Sequence, residues 1–195
     1  MMKKLLIVVA ILAVLGLWAK SAYNGMVTGD ENVKKVWAKV ESQYQRRADL
    51  IPNLVNTVKG AANFEQETLI KVIEARAKAT SITIDPSNVT PEQMAAFQAA
   101  QGQVSSSLGR LMAVAENYPQ LKANQNFLDL QAQLEGTENR ITSARNDFND
   151  VVETFNVSVR QFPANLFAKM FGFSVRTPFA ADKGAEKAPP VNFEK

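Results

Sequence analysis

The sequence FLDLQAQLEGTENRITSARNDFNDVVETFNVSVRQF, residues 127–162, carries the pattern from which the architecture follows. Its large apolar side chains recur alternately three and four positions apart, which places them on one narrow stripe of an α-helix. The stripe consists of Phe127, Gln131, Leu134, Glu138, Ile141, Arg145, Phe148, Val152, Phe155, Val159 and Phe162. Such a stripe packs against other helices, which buries its apolar side chains away from water. We predict a long helix with Phe148, Phe155 and Phe162 in a core, ending at Pro163.

Two stretches before it repeat this spacing. Between Val33 and Val58 the pattern predicts a helix. We expect Pro52 to kink this helix or to begin a new one, because proline removes one backbone hydrogen bond and clashes with the preceding turn. The pattern resumes from Phe64 to Ala77 and stops at the turn-rich residues 80–89.

Thr90-Pro91-Glu92-Gln93 is a strong helix start, with an N-cap threonine, a proline at the first helical position and a glutamine at the capping-box position. The apolar stripe of the helix that follows reaches Tyr118, and Pro119 ends that helix or opens the next. No strand alternation or glycine-rich phosphate loop occurs in the sequence. We therefore predict an all-α fold, with an antiparallel helical bundle over residues 27–173.

An apolar segment near the N-terminus predicts a membrane anchor. Residues 5–19, LLIVVAILAVLGLWA, contain no charged side chain. As a helix they span roughly 22 Å at about 1.5 Å per residue, less than the roughly 30 Å of a hydrocarbon layer. Lys20 can extend to the headgroups and Tyr23 suits the interface, so a span through residues 5–26 is feasible. We assign residues 1–26 to a transmembrane anchor whose partner is the lipid bilayer.

The processing and orientation of this anchor are less strongly marked. Ala19-Lys20-Ser21 places small residues where signal peptidase requires them, so cleavage after Ser21 stays an alternative. Lys3 and Lys4 favour a cytoplasmic N-terminus, although lysines also follow the span. We predict a single-pass anchor with a cytoplasmic N-terminus and the bundle outside the cytoplasm.

The composition excludes most enzyme chemistry. The 195 residues are 46% apolar and 21% charged, proportions that suit one folded domain with an added segment. The chain has no Cys and no His, which excludes disulfides, thiolate nucleophiles, Cys/His zinc sites and Ser-His-Asp triads. We predict that the protein is not an enzyme and has no catalytic, cofactor-binding or metal-binding residues.

The net charge of +3 belongs to the N-terminus. Lys3, Lys4 and Lys20 are the only charged residues before Asp30. Removing these three from the 22 Lys and Arg leaves 19, equal to the 19 Asp and Glu. The remainder lacks the basic surplus that phosphate binding requires, so we predict no nucleic-acid partner.

Three charged residues interrupt the apolar stripes. Arg47 lies on the first stripe, and Glu138 and Arg145 lie on the last. A buried charge needs a partner, so Arg47 or Arg145 could form an internal ion pair with Glu138 that fixes helix register. In the alternative, neighbouring alanines pack while the arginines point outward. Arg47, Glu138 and Arg145 are the candidate internal polar layer.

The C-terminal part is apolar and then turns polar. Phe167, Phe171 and Phe173 could pack on the bundle end, touch the bilayer or dock a partner, and we favour packing on the bundle. Residues 174–195, with three prolines and scattered charges, predict a flexible tail.

Several motifs resemble those of the bacterial LemA family. The most specific is RRADLIPNLV at residues 46–55. Others are TVKG at 57–60, LGRLMAVAE at 108–116, LEGTENRI at 134–141 and FPAN at 162–165. Phe148-Asn149 and Phe155-Asn156 stand where the family often has Tyr before Asn. The resemblance covers nearly the whole chain.

This resemblance implies a bacterial cell-membrane protein with one N-terminal anchor and a four-helix, bromodomain-like, up-and-down bundle. It carries over no catalytic residues, and the role of the motif at residues 46–53 is unassigned. The candidate interaction or structural residues in that motif are Arg46, Arg47, Asp49, Pro52 and Asn53.

For function we predict a membrane-anchored scaffold of the cell envelope, because a bundle without reactive side chains is suited to binding. The expected partner is an envelope or membrane protein. The alternative is a module that binds lipid or an envelope polymer through residues 167–173, beside Lys169 and Arg176. The identity of the partner and the oligomeric state stay open.

Overall fold

The computed structural model of the chain describes residues 1–60 and 64–181, and every regular element in those ranges is an α-helix. The helices are α1 (Met2–Lys59), α2 (Gln66–Thr80), α3 (Pro91–Ala115), α4 (Pro119–Lys122), α5 (Gln125–Arg160) and α6 (Ala164–Met170). The all-α prediction is confirmed. α3 begins as predicted, since Thr90 Oγ1 accepts from the Gln93 backbone N–H and the Gln93 side chain accepts from the Thr90 N–H.

The first helix contains both the predicted anchor and the first helix of the predicted bundle. α1 has 58 residues, which gives a length of about 87 Å at the usual helical rise. Residues 1–17 are exposed, and Trp18 is the first residue that is partly buried. The N-terminal part of α1 is long and apolar enough to cross a membrane. A signal sequence can have the same length and composition. Met26 is already buried, so the anchor runs without a break into the packed part of the chain.

Pro52 does not begin a new helix, because α1 continues through it to Lys59. In a regular helix the carbonyl of Ala48 would accept from the N–H at position 52, which proline lacks. Here that carbonyl accepts from Arg76 Nε of α2 at 2.7 Å. A side chain from the neighbouring helix thus replaces the missing backbone donor.

The helices pack around two apolar clusters, with α1 along α5 and α2 on α3. The proximal cluster, nearer the apolar N-terminal segment, includes Met26, Val33, Trp37, Val40, Tyr44, Phe97, Ile141, Phe148, Val152, Phe155 and Phe179. The distal cluster includes Ile51, Leu54, Val58, Leu69, Val72, Val104, Leu111, Phe127 and Leu134. Each large side chain buried in this way contributes about 1.5–3 kcal/mol relative to exposure.

Phe148 and Phe155 lie in the core as predicted, but Phe162 does not. α5 ends at Arg160, and the side chain of Phe162 is 80% exposed. The residue before a proline is disfavoured in helical conformation, so Pro163 ends the helix before the stripe reaches Phe162.

After Pro163 the chain turns back onto α1. The Phe167 ring lies edge-on to Trp18 with centroids 5.4 Å apart, and the Phe171 ring lies 5.1 Å from Tyr23. Phe173 lies 6.4 Å from the Phe155 ring. Phe173 therefore packs on the bundle, which confirms the prediction for this residue. Phe167 and Phe171 instead pack on Trp18 and Tyr23, which lie in the segment predicted to be the anchor.

The expectation of a flexible tail from residue 174 is wrong for residues 174–181, which we call the C-terminal segment; residues 182–195 lie outside the described residues. Phe179 is 4% exposed and stacks on Trp37. Asn149 of α5 donates to the Phe179 carbonyl and accepts from its N–H, at 3.2 and 2.8 Å. Asn156 makes the same pair of bonds with Arg176, at 2.9 and 2.7 Å. These amide side chains satisfy the backbone of the segment, so it can lie against the core without secondary structure.

Arg176 is held in place by an acid near the start of the packed part of α1. Its Nη2 and Nε atoms donate to Asp30 Oδ1 at 2.6 and 3.2 Å. Partial burial raises the pKa of Asp30, but hydrogen bonds from Arg176 and Lys34 outweigh that effect, so the pKa lies below its ordinary value of 3.8. The Arg176 guanidinium also lies 5.0 Å from the centre of the Phe155 ring.

Candidate functional site

A polar layer separates the proximal and distal clusters, and Arg47 of α1 is at its centre. Arg47 Nη1 donates to Ser105 Oγ at 2.7 Å and to Glu138 Oε2 at 2.8 Å. Its Nη2 donates to the Gln101 side-chain oxygen at 2.6 Å and to the Gln101 carbonyl at 3.2 Å. Ser105 in turn donates to Glu138 Oε1 at 2.8 Å. Arg47, Gln101, Ser105 and Glu138 are the polar layer.

The helices α1, α3 and α5 each contribute to the layer one polar residue that lies on the helix's apolar stripe. On each of these three helices this residue falls between an apolar side chain of the proximal cluster and one of the distal cluster. The triplets are Tyr44-Arg47-Ile51, Phe97-Gln101-Val104 and Ile141-Glu138-Leu134. A shift of any helix by one turn would bring an apolar side chain opposite the guanidinium, so the layer favours one register.

Only one of the two residues in the layer's ion pair is buried. The Arg47 side chain is 2% exposed, whereas the Glu138 side chain is 47% exposed. Water therefore still solvates Glu138, while Arg47 depends on its protein acceptors and on the Tyr44 ring, whose centre is 5.2 Å away. The layer consequently costs less desolvation than a fully buried ion pair.

Arg47 lines two clefts. The larger, of about 400 Å³, lies among α1, α2 and α3, and Tyr44, Arg76 and Phe97 also line it. The smaller, of about 230 Å³, lies between α3 and α5 and is mainly apolar, with Leu108, Met112 and Leu134 in its wall. Both terminal nitrogens of Arg47 are already bonded to protein acceptors, so Arg47 connects the walls of the two clefts.

Arg145, the third residue of the predicted layer, is placed elsewhere. Its guanidinium centre lies 5.0 Å from the Phe179 ring, and its Nη2 is 3.4 Å from the Ala180 carbonyl. Arg145 therefore covers the C-terminal segment, because the buried Phe179 offers it a ring face. The structure brings together only Arg47 and Glu138 of the three residues.

The RRADLIPN motif is divided between the inside and the outside of the protein. Arg47 is buried, whereas Arg46, Asp49, Pro52 and Asn53 are exposed. Arg46, Asp49 and Asn53 line an open groove of about 550 Å³, which Gln133 of α5 closes on one side. Gln45 Nε2 donates to Asp49 Oδ1 at 2.7 Å along the same face of α1.

The charged groups of the polar layer and of the groove are Arg47, Glu138, Arg46 and Asp49. In the part of the chain that the structure describes, no three Asp or Glu side chains form a group able to hold a metal ion. Arg47 and Glu138 neutralise each other, and the groove carries exposed polar groups of both signs. The arrangement can position helices and bind a complementary surface.

Sequence reasoning missed Gln101, Ser105 and Arg76 as site residues. Gln101 has a signal, because it is a polar residue on the apolar stripe of α3. Ser105 lies one turn along α3 from Gln101 but beside the apolar stripe, so nothing in the spacing distinguishes it. Arg76 has a signal: a proline inside a helical pattern leaves the carbonyl four residues earlier without its donor. A basic residue on the next predicted helix is a candidate to supply one.

Taken together, the apolar N-terminal helix and the all-α body with an internal polar layer define a class, helical proteins associated with a membrane. A family model described as the LemA family matches residues 36–193, and the chain belongs to this family. The match leaves out the apolar segment itself.

Individual relatives support the same assignment. Magnetosome protein MamQ 2 of Paramagnetospirillum magneticum is 27% identical over an alignment of 205 positions, which spans 95% of this chain and 75% of that protein. Magnetosome protein MamQ of Magnetospirillum gryphiswaldense is 27% identical over 186 residues, 87% of this chain and 68% of that protein. Protein LemA of Metamycoplasma hominis is 24% identical over 146 residues, 75% of this chain and 63% of that protein.

Proposed function

We propose that this chain is a non-enzymatic, membrane-anchored protein that acts as a scaffold or interaction partner in the bacterial cell envelope. Its helices form an up-and-down, bromodomain-like four-helix bundle, with α1 and α5 beside the pair α2 and α3. Residues 5–26 cross the inner membrane, the N-terminus is cytoplasmic, and the bundle lies outside the cytoplasm. Family membership and the exposed apolar start of α1 support the anchor.

The division of the RRADLIPN motif carries this proposal. Arg47 and the carbonyl freed by Pro52 are used inside the fold. Arg46, Asp49 and Asn53 instead project into an open groove, where they do little for stability because exposed charges contribute about 0–1 kcal/mol. Exposed polar side chains on a rigid helix suit recognition of a partner surface that offers both an acid and a base.

The names of the relatives refer to a cellular structure or to the family and to no reaction. MamQ proteins carry the name of the magnetosome, and this chain aligns with them over most of its length. The partner of this chain is an envelope or membrane protein that reaches the groove from the side of α1.

Photo-crosslinking in living cells tests the groove. A benzophenone amino acid is placed at Asn53 of the full chain, and a matched control is placed at Lys71, exposed on α2. We expect a discrete crosslinked species from position 53 that is absent from position 71 and is lost on Arg46→Ala or Asp49→Ala. Equal products from both positions, or none from position 53, would argue against a docking groove.

The absence of cysteine makes the orientation directly testable. Single cysteines at Lys3 and Lys122 are probed with a membrane-impermeant maleimide in spheroplasts. We expect labelling at position 122 before lysis and at position 3 only after it. The reverse pattern would invert the orientation, and loss of position 3 from the mature chain would indicate cleavage.

A second function has one specific observation in its favour. Residues 167–173 pack on Trp18 and Tyr23, at the end of the predicted span, with Lys169 exposed beside them. This placement suits a module that binds lipid or an envelope polymer. Arg176, which the sequence grouped with this cluster, is instead bonded to Asp30.

A further inference from the structure

α6 lies beside the last turns of the predicted span. Its Phe167 ring packs on Trp18, and Phe171, the residue after α6, packs on Tyr23. Trp18 is also where α1 first becomes partly buried, since residues 1–17 are exposed. The short helix therefore sits at the level at which α1 leaves the apolar segment and enters the packed part of the protein.

Two large apolar side chains of α6 are uncovered, beside the exposed polar residues Asn165 and Lys169. Leu166 is 63% exposed and Met170 is 68% exposed, and they lie four residues apart on one helical face. Phe162, four residues before Leu166, is 80% exposed. Ala168, by contrast, is buried against the proximal cluster. α6 thus has one apolar face on the protein and two large apolar side chains that nothing in residues 1–60 and 64–181 covers.

α6 lies beside the part of α1 where the uncharged run becomes too short to cross the hydrocarbon layer. The uncharged run of residues 5–19 reaches about 22 Å, whereas a hydrocarbon layer needs roughly 30 Å. The next turns of α1 bring Lys20, Ser21 and Asn24, which are poor surfaces for lipid. Phe162, Leu166 and Met170 supply apolar surface at this level from the adjacent α6.

Among the described residues, the charges near α6 are basic apart from the Asp30 and Arg176 pair. Neither residues 1–29 nor residues 154–181 contain an Asp or Glu. Lys20, Arg160 and Lys169 are exposed there, while Arg176 is neutralised by Asp30. A basic rim around an apolar face is the pattern of helices that lie in the headgroup region of an anionic bilayer.

We propose that Phe162 and α6 form an interfacial foot that inserts Phe162, Leu166 and Met170 into the leaflet from which α1 emerges, with anionic lipid headgroups as the ligand of the basic rim. The foot holds the bundle close to the membrane surface and limits its tilt about α1. This inference rests on the proposed membrane anchor and extends it, because it gives the protein a second contact with the same bilayer.

Spin labelling of single cysteines tests the foot in the full chain, which has no native cysteine. Labels are placed at Leu166 and Met170, with Leu128, an exposed leucine at the distal end of α5, as the matched control and Val9 as the probe of the span. The protein is reconstituted into phosphatidylcholine vesicles with and without phosphatidylglycerol. Collision rates with oxygen and with a water-soluble nickel chelate give the depth of each label.

We expect oxygen to exceed nickel at positions 9, 166 and 170 and the reverse at position 128. Positions 166 and 170 should lie shallower than position 9 and should move deeper when phosphatidylglycerol is present. Aqueous labels at 166 and 170 with a buried label at 9 would overturn the foot and leave the anchor intact. An aqueous label at position 9 would overturn the anchor itself, and an unchanged depth with phosphatidylglycerol would remove anionic lipid as the ligand.

Discussion

Arg76 Nε donates a 2.7 Å hydrogen bond to the backbone carbonyl of Ala48, joining α2 to the C-terminal part of α1. This carbonyl is available because Pro52, four residues later, has no N–H to give it. A residue that should weaken α1 therefore creates a specific attachment point for α2. The same stretch of α1 supplies Arg47 to the polar layer, so two links from α1 to other helices arise in the five residues before Pro52.

Removal of the Arg76 donor should destabilise the protein in a way that depends on Pro52. Arg76→Met leaves the Ala48 carbonyl without a donor and should lower the free energy of unfolding by about 1–2 kcal/mol. In a Pro52→Ala background the N–H of residue 52 can bond to Ala48, so the same substitution should cost less than about 0.5 kcal/mol. Chemical unfolding of the four proteins in detergent micelles, followed by circular dichroism, measures the difference. Equal losses in both backgrounds would disprove the link.

Loss of Glu138 should destabilise the polar layer more than loss of a neighbouring exposed acid. Glu138→Ala leaves the buried Arg47 with neutral acceptors only, and we expect a loss of about 2 kcal/mol in unfolding free energy. Glu135, exposed on the same helix, accepts from the neutral side chain of Gln131, so Glu135→Ala should stay within about 0.5 kcal/mol of the parent. Similar losses for the two variants, again from chemical unfolding, would mean that Arg47 does not need Glu138.

A close approach of α1 to α5 makes Gly29 sensitive to a single methyl group. A Cβ at position 29 would lie 2.9 Å from Cδ2 of Phe155, a ring that is itself buried in the proximal cluster. Gly29→Ala should therefore cost about 1–3 kcal/mol through overpacking, despite the better helix propensity of alanine. Gly102→Ala, where nothing lies within 4 Å, should stabilise α3 by up to about 1 kcal/mol. Thermal unfolding of the two variants gives opposite signs if the contact is real.

The helices and the apolar core follow from the sequence because spacing encodes them. The stripe of residues 127–162 gives α5 and most of its buried residues, and the Thr90 capping box gives the start of α3. An internal ion pair follows as an option because buried charged residues on a stripe need partners, and the structure forms it between Arg47 and Glu138. Which arginine pairs with Glu138 depends on the relative rotation of α1 and α5, which the sequence of neither helix contains.

The C-terminal segment escaped prediction for a different reason. Its composition is that of a loop, and Phe179 is its single large apolar side chain that is buried. The attachment is encoded in distant residues, since Asn149, Asn156 and Gln98 each make two hydrogen bonds with its backbone. The recurring Phe-Asn pairs of α5 thus place an aromatic ring in the core and an amide beside it for this segment.

Because of the ion pair between Asp30 and Arg176, the free energy of unfolding should depend on pH in the acid range. The pKa of Asp30 is lowered in the folded protein by its hydrogen bonds from Arg176 and Lys34, which outweigh the opposing effect of burial. A lowered carboxylate pKa adds stability above the ordinary value of 3.8, and this stability is lost as the pH falls through the folded-state pKa. Asp30→Asn should therefore lower the free energy of unfolding by about 1–2 kcal/mol at neutral pH. Its difference from the parent should shrink below about pH 4.

Thermal unfolding in detergent micelles across this pH range measures the effect, with Asp147→Asn, an exposed acid of α5, as the control for general charge. A second readout separates the ion pair from other acid effects. The C-terminal segment places Phe179 on Trp37, so release of Arg176 should expose Trp37 and shift its fluorescence to the red in Asp30→Asn at neutral pH. The parent should show the same shift only in acid. A difference between Asp30→Asn and the parent that stayed constant down to acid pH would show that Asp30 acts through its shape rather than its charge.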